Sequence, residues 1–293
     1  IDNAVDTDNL GEYNANFKRF QKHIKPGKEG FLKSAYSAYR ERSLGLGAMG
    51  FHSYLQSRRL PFEGIYATGF NHKAFKYIKG QSIKASQRLA DERGEAPDIS
   101  GSGNRNAHLL AVAPNASSSI ICGGTSPSIE PYRANVYTHK TLSGSFQVKN
   151  RHLENLLADK KLNKTELKDV WKDIAGHEGS VQHLDILTDE EKEIFKTANE
   201  LDQMWIVEHA AQRQDYICQA QSVNLFFTIP TATEKQEVHD EYMQYVNDVH
   251  WYGMNKLKSL YYFRTNAARN AENVNLKVQR IKLDDVECIA CEG

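Results

Sequence analysis

The chain has 293 residues, of which 40% are hydrophobic and 25% charged, and its 37 basic and 37 acidic side chains give a formal net charge of zero. That length can bury a substantial core, while the charge balance excludes broad electrostatic attraction to nucleic acid or a membrane surface. Apolar runs such as 223–229 fall far short of the ~18–20 residues a bilayer-spanning helix needs, and the opening IDNAVDTDNLGEYN has neither the cationic nor the apolar part of a secretory signal.

In chain order, the spacing of Phe31, Tyr36, Leu44, Met49, Phe51, Tyr54 and Leu55 predicts helix around a glycine-rich turn, SLGLG at Ser43–Gly47. A second helix is expected over about His72–Arg93, stopped by Gly94. The stretch Ala96–Asn106 reads as a loop leading into HLLAVAP, short enough for a buried strand. Thr188 with Glu191 forms a capping box that would open a long helix over Glu190–Gln219. SVNLFFTIP at Ser222–Pro230 reads as strand, ended by its proline. Thr231 with Glu234 offers another capping box for a helix through about Lys258, followed by a short buried strand at Leu260–Phe263. Strand, helix and strand in that order point to an α/β architecture with parallel strands. After Thr265 the apolar content drops, so residues 266–293 are expected to be a flexible, solvated tail.

Three constellations could carry chemistry. In Pro114-Asn115-Ala116-Ser117-Ser118, small residues following a strand let backbone N–H groups and hydroxyls converge on an anion, although such a run is also an ordinary turn. Tyr261 and Tyr262 are adjacent phenols, neutral at working pH, that lose a proton as they lose an electron; the plainer alternative is packing aromatics. Neighbours on a regular strand point to opposite faces, so a stacked pair requires irregular backbone there. Cys288 and Cys291 form a Cys-x-x-Cys able to close a disulfide or supply half a zinc site, but no second cysteine or histidine pair stands nearby. Cys122 and Cys218 read as small apolar fillers, and His139 and His209 as structural or surface residues. Four cysteines so unevenly placed do not make a secreted disulfide framework, and a cytoplasmic, reducing compartment is expected.

Pro114–Ser118, Ser128-Ile129-Glu130-Pro131-Tyr132, Asn135-Val136-Tyr137-Thr138 and Leu142-Ser143-Gly144-Ser145-Phe146 stand in order, with SLGLGAMGF at Ser43–Phe51, QSVNLFF at Gln221–Phe227 and LYYFRT at Leu260–Thr265. This run of motifs resembles the large, catalytic subunit of class I (Ia-like) ribonucleotide reductase. The resemblance spans roughly residues 1 to 270 and the terminal cysteines. It implies the C-terminal part of a ten-stranded α/β barrel over 1–265, with 266–293 a redox tail.

It also implies roles: Pro114, Asn115, Ala116, Ser117 and Ser118 would bind the diphosphate of a ribonucleoside diphosphate. Tyr261 and Tyr262 would relay an oxidising equivalent from a small subunit carrying a diiron–tyrosyl radical. Cys288 and Cys291 would reduce the active-site disulfide and be re-reduced by thioredoxin or glutaredoxin. No metal or other cofactor is expected in this chain. The family's Asn-x-Cys-x-Glu loop, which bears the thiyl-radical cysteine, does not occur here. Because the chain opens on Ile1, the expectation is one piece of a divided subunit, completed by an N-terminal companion. The alternatives are a non-catalytic remnant or scaffold fragment and, less in keeping with a polar tail, a stand-alone thiol oxidoreductase.

Overall fold

The computed structural model of the protein describes residues 20–27, 29–141, 144–231 and 233–265. Its α-helices are Lys33–Glu41 (α1), Phe51–Ser57 (α2), Ile65–Arg93 (α3), Ala116–Ile121 (α4), Arg151–Asp159 (α5), Lys164–Gly176 (α6), Asp189–Ile194 (α7), Gln203–Gln214 (α8) and Gln236–Lys256 (α9). The strands are Val136–Thr141 (β1), Gly144–Lys149 (β2), Leu225–Phe227 (β3) and Phe263–Thr265 (β4).

Four chain segments far apart in sequence lie side by side and parallel. β3 pairs with β4 in the register Leu225↔Phe263 to Phe227↔Thr265, and parallel bridges Val112↔Gln221 and Leu46↔Leu110 continue the row outward. HLLAVAP therefore takes a strand position between 44–46 and 219–222, its backbone bonded to both flanks by Leu46 N–H to Leu109 O and Ser222 N–H to Val112 O. The expected α/β architecture with parallel strands is present, and α9 makes the crossover between β3 and β4.

Two apolar clusters hold the chain together. The larger packs Phe51, Leu55, Phe62, Phe75, Val207, Ala210 and the side chains of β3 beneath the parallel row. The smaller joins α5, α6 and α7 through Leu153, Leu157, Trp171, Ile174, Val181 and Phe195. Each fully buried Leu or Phe in these clusters contributes about 2 kcal/mol of transfer free energy.

Several expectations are corrected. The helix expected around SLGLG is present on both sides, as α1 and α2, but SLGLG itself is not a simple turn: 44–46 belongs to the parallel row, and a Cβ on Gly47 would sit 2.8 Å from the carbonyl oxygen of Ala111. Helix resumes at α2, where Gly50 has φ +82 and closely faces Thr125. α3 begins at Ile65, seven residues before the expected start, and ends as expected with Gly94 at φ +81. The single helix over 190–219 is two helices. The Thr188–Glu191 capping box opens α7, but Thr197 then takes the carboxylate of Glu200 and Asp202 caps α8 through Met204 N–H, so the break carries its own caps. Phe195 and Ala198, on either side of Thr197, are buried in different clusters, which turns the chain there. Thr231 opens no helix: its hydroxyl meets Thr233, Glu234 N–H bonds its carbonyl, and α9 starts at Gln236 without a side-chain cap. The antiparallel β1–β2 hairpin and helices α5 and α6 had no counterpart among the expected elements.

Polar groups inside the larger cluster are tied to backbone. His209 is 1% exposed with Nε2 3.0 Å from the Phe62 carbonyl oxygen, and Nδ1 of fully buried His52 accepts from Tyr132 N–H at 2.9 Å. His209 is thus structural, as its sequence context suggested. Arg213, also buried, bonds Asn71 and Gln221 and lies over the rings of Phe51 and Phe75. Burial pushes the pKa of His52 down to about 3 and that of His209 down to about 4.

Above the ordinary imidazole value of 6.5 both histidines are neutral in folded and unfolded chains, and neither changes stability with pH. As pH falls below that value the unfolded chain takes up protons that the native state refuses. Stability should then drop by about 1.4 kcal/mol per pH unit per histidine, or about 4 kcal/mol for the pair by about pH 5. Urea unfolding at about pH 7.5 and pH 5 should show this loss, with His209→Gln recovering about half of it; an unchanged midpoint would mean these rings are not buried neutral.

Candidate functional site

A cavity of about 490 Å³ opens at one end of the parallel row. Its walls come from the loop after the 108–112 segment, from the Thr125–Thr138 stretch and from the residues leading into β4, including Pro114, Ala116, Glu130, Arg133, Asn224, Tyr261, Tyr262 and Arg264.

The tyrosine pair is positioned by backbone pairing. Tyr261 N–H donates to Val223 O and Leu225 N–H to Tyr262 O, both at 2.9 Å, while Tyr262 N–H meets the side-chain oxygen of Asn224 at 3.1 Å. Tyr261 and Tyr262 precede β4 and are outside regular strand, so the two rings stand on the same side with centroids 4.2 Å apart and planes at 56°. This is the irregularity that a stacked pair requires. The expected strand at Leu260–Phe263 is displaced to Phe263–Thr265 and is not buried: Tyr261 is 49% exposed and Tyr262 44%, because β4 is the outermost segment of the row among the described residues. Interaction with the Tyr262 phenol holds the Tyr261 hydroxyl above its usual pKa, so it keeps its proton.

Asn224 connects this pair to the cavity floor. Its amide donates to Glu130, which is 3% exposed. Burial raises the Glu130 pKa, opposed by Arg133, by the Asn224 hydrogen bond and by Arg264. Arg264 lies over the Tyr262 ring at 4.9 Å and Arg133 over Phe226 at 5.3 Å, placing two guanidinium groups at the cavity wall. The two guanidinium groups suit the opening to an anionic ligand, while Glu130 offsets part of their charge.

Pro114 and Ala116 also line the cavity, whereas Asn115 is half-buried and Ser117 and Ser118 are exposed outside its lining. Asn115 has φ +54 and makes no side-chain cap to α4, so the first-turn N–H groups of Ala116, Ser117 and Ser118 have no intrahelical acceptor. Ser119, buried, turns its hydroxyl back to Ala116 O. The structure thus brings Pro114, Ala116, Tyr261 and Tyr262 to one cavity. Cys288 and Cys291, with all of 266–293, lie outside the described residues, as do Leu142 and Ser143. Cys122 is exposed and not an apolar filler; Cys218 is half-buried, its sulfur accepting N–H bonds from Leu109 and Leu110 within the parallel row.

Sequence reasoning missed Arg133 and Arg264 as cavity residues. Arg264 stands two positions after Tyr262, the spacing that shares a strand face, and this was the available signal. Glu130 and Asn224 were within recognised motifs but had no assigned place; a carboxyl and an amide inside apolar runs, Ile129–Pro131 and Val223–Phe227, mark buried polar partners.

The chain matches the family profile described as "Ribonucleotide reductase, barrel domain" over residues 3–102 and 96–263. It is 40% identical over 297 aligned residues to the ribonucleoside-diphosphate reductase large subunit of Invertebrate iridescent virus 3, covering 100% of this chain and 44% of that protein. It is 29% identical to the large subunit of Caenorhabditis elegans, over 88% of this chain and 37% of that one. Among solved structures it is similar to the class Id ribonucleotide reductase alpha subunit of Actinobacillus ureae, with TM-score 0.69, 38% identity, and 84% of this chain covering 44% of that chain. The chain therefore spans less than half the length of these relatives. No helix among the described residues is long and apolar enough to cross a membrane. The parallel row, the motif-bearing cavity and these matches agree: the chain belongs to the ribonucleotide reductase barrel-domain family and forms part of that α/β barrel.

Proposed function

We propose that the chain is a working part of a ribonucleoside-diphosphate reductase large subunit, reducing ribonucleoside diphosphates to deoxyribonucleoside diphosphates for DNA precursor synthesis. The observation that carries this reading is the shared cavity: the Tyr261–Tyr262 pair and the Pro114–Ala116 loop face one opening, with Arg133 and Arg264 at its wall. A reductase of this kind needs an oxidising relay and an anion-holding loop at a common site.

In this reading the free first-turn N–H groups at Ala116, Ser117 and Ser118, with the two serine hydroxyls, hold the diphosphate, and Pro114 and Asn115 shape the loop. Tyr261 and Tyr262 pass an oxidising equivalent originating in the diiron–tyrosyl radical of a small subunit, each phenol losing one electron and one proton and regaining both. Cys288 and Cys291, as a dithiol, reduce the disulfide formed when substrate is reduced; their own disulfide is then reduced by thioredoxin or glutaredoxin. The thiyl-radical cysteine belongs to polypeptide corresponding to the remaining, N-terminal length of the relatives, whether joined to this chain or separate. The reaction needs no nucleic acid or membrane and suits a cytoplasmic enzyme.

Assays of the reconstituted complex test this. Tyr261→Phe and Tyr262→Phe should each remove turnover, while nucleoside diphosphate binding changes less than about twofold, because Phe conserves ring packing but holds no exchangeable proton. Normal turnover in either variant would refute the relay and favour a non-catalytic scaffold.

Cys288→Ser should abolish multiple turnover with thioredoxin or glutaredoxin yet leave dithiothreitol-driven turnover near the parent rate. Equal loss with both reductants would assign the cysteine another role.

A further inference from the structure

Away from the cavity, Asp173 in the last turn of α6, His177 at its C-terminal cap and His183 in the following loop converge. One donor atom from each lies within 4.8 Å of the others. His177 Nδ1 is 3.1 Å from Asp173 Oδ1 and His183 Nε2 is 3.0 Å from Asp173 Oδ2, and the two imidazole rings stack with centroids 3.8 Å apart at 28°.

We propose that Asp173, His177 and His183 form a site for a divalent transition metal of zinc type. The donor set, two imidazoles and one carboxylate, is the kind that such borderline ions take. Adjacent ligand atoms around a tetrahedral zinc ion with bonds of about 2.0–2.1 Å lie about 3.3–3.4 Å apart; each histidine already stands 3.0–3.1 Å from its own oxygen of Asp173, and His177 Nδ1 also meets the Asp173 carbonyl oxygen at 3.0 Å, a contact that binding exchanges for the ion. Stability gives little reason for the arrangement, since exposed ion pairs contribute about 0–1 kcal/mol and all three residues are exposed.

The scaffold is pre-organised. His177 N–H bonds the carbonyls of Asp173 and Ile174, fixing its place on the helix end. Val181 and Leu184, fully or nearly buried against Ile174, hold the loop on both sides of His183. Gly179 has φ +85 and packs so closely on Ala134 that a Cβ would sit 2.5 Å from the Ala134 side chain, and its carbonyl accepts from both the backbone and side-chain N–H of Asn135. A bound ion would tie α6 to a loop that meets the chain just before β1, leaving an open position to water. This runs against the expectation of a chain without metal; in the sequence, Asp-x3-His-x5-His straddles a helix end and gives no short motif.

The test uses the full chain with Cys288→Ser and Cys291→Ser, so that tail thiols do not compete, and measures zinc by equilibrium dialysis. One zinc per chain should bind, and His177→Ala, His183→Ala and Asp173→Asn should each weaken it by at least roughly tenfold. Asp169→Asn, a carboxylate one turn earlier on α6, should leave it unchanged. Cobalt in the same site should give visible bands without the near-ultraviolet thiolate band, and zinc should raise Tm in the parent but not in the three ligand variants, whose folding is checked by circular dichroism. No zinc bound at near-millimolar concentration, or equal binding in parent and folded ligand variants, would overturn the site.

Discussion

The whole arrangement depends on backbone hydrogen bonding between four parallel segments that are distant in sequence. Parallel neighbours cannot be joined by a tight turn, so each adjacent pair needs a crossover. Here α3 lies between 44–46 and 108–112, and α9 lies between β3 and β4. Between 108–112 and 219–222 the crossover carries the β1–β2 hairpin and helices α4 to α8, and its first part, up to Thr138, lines the cavity. The row brings the loop after Val112 and the residues before β4 to the same end, although some 150 positions of sequence separate them.

Packing between the two apolar clusters is arranged through buried amides. Asn150 donates to Gln56 and to Asn135, and Asn135 donates to the carbonyls of Gly179 and Phe195. Gln56 lies on α2 under the larger cluster, while Phe195 belongs to the smaller. Such groups are costly to bury without partners and specific in geometry when satisfied, so they set how one cluster meets the other in a way that apolar contact does not.

Much of this was legible in the sequence, and the failures have identifiable causes. The parallel strand–helix–strand unit of β3, α9 and β4 was readable because apolar runs and turn residues alternate there. The Gly94 stop and the Thr188–Glu191 box were readable because caps act locally. The SLGLG segment misled because glycines usually mark turns, whereas these let strand backbones approach closely. The 190–219 helix failed because one apolar stripe continued across a break whose caps, Thr197 and Asp202, were present but outweighed by periodicity. Tyr261 and Tyr262 were readable as a pair through the family motif, but their exposure follows from β4 being at the edge of the described row, a tertiary fact. Arg133 and Arg264 were overlooked because surface arginines are common and only the fold turns these two toward one opening.

The side chain of Asn224 has a consequence for fidelity. β4 pairs with β3 over three residues, a ladder too short to define its own alignment strongly. A slippage of one position would turn every side chain of the strand to the opposite face and carry the phenols away from the cavity. By accepting Tyr262 N–H while its amide is held by buried Glu130, Asn224 acts as a register pin. The carboxamide thus adds a side-chain check to the backbone bonds of Tyr261 and Tyr262, and errors of strand threading lose all of these contacts together.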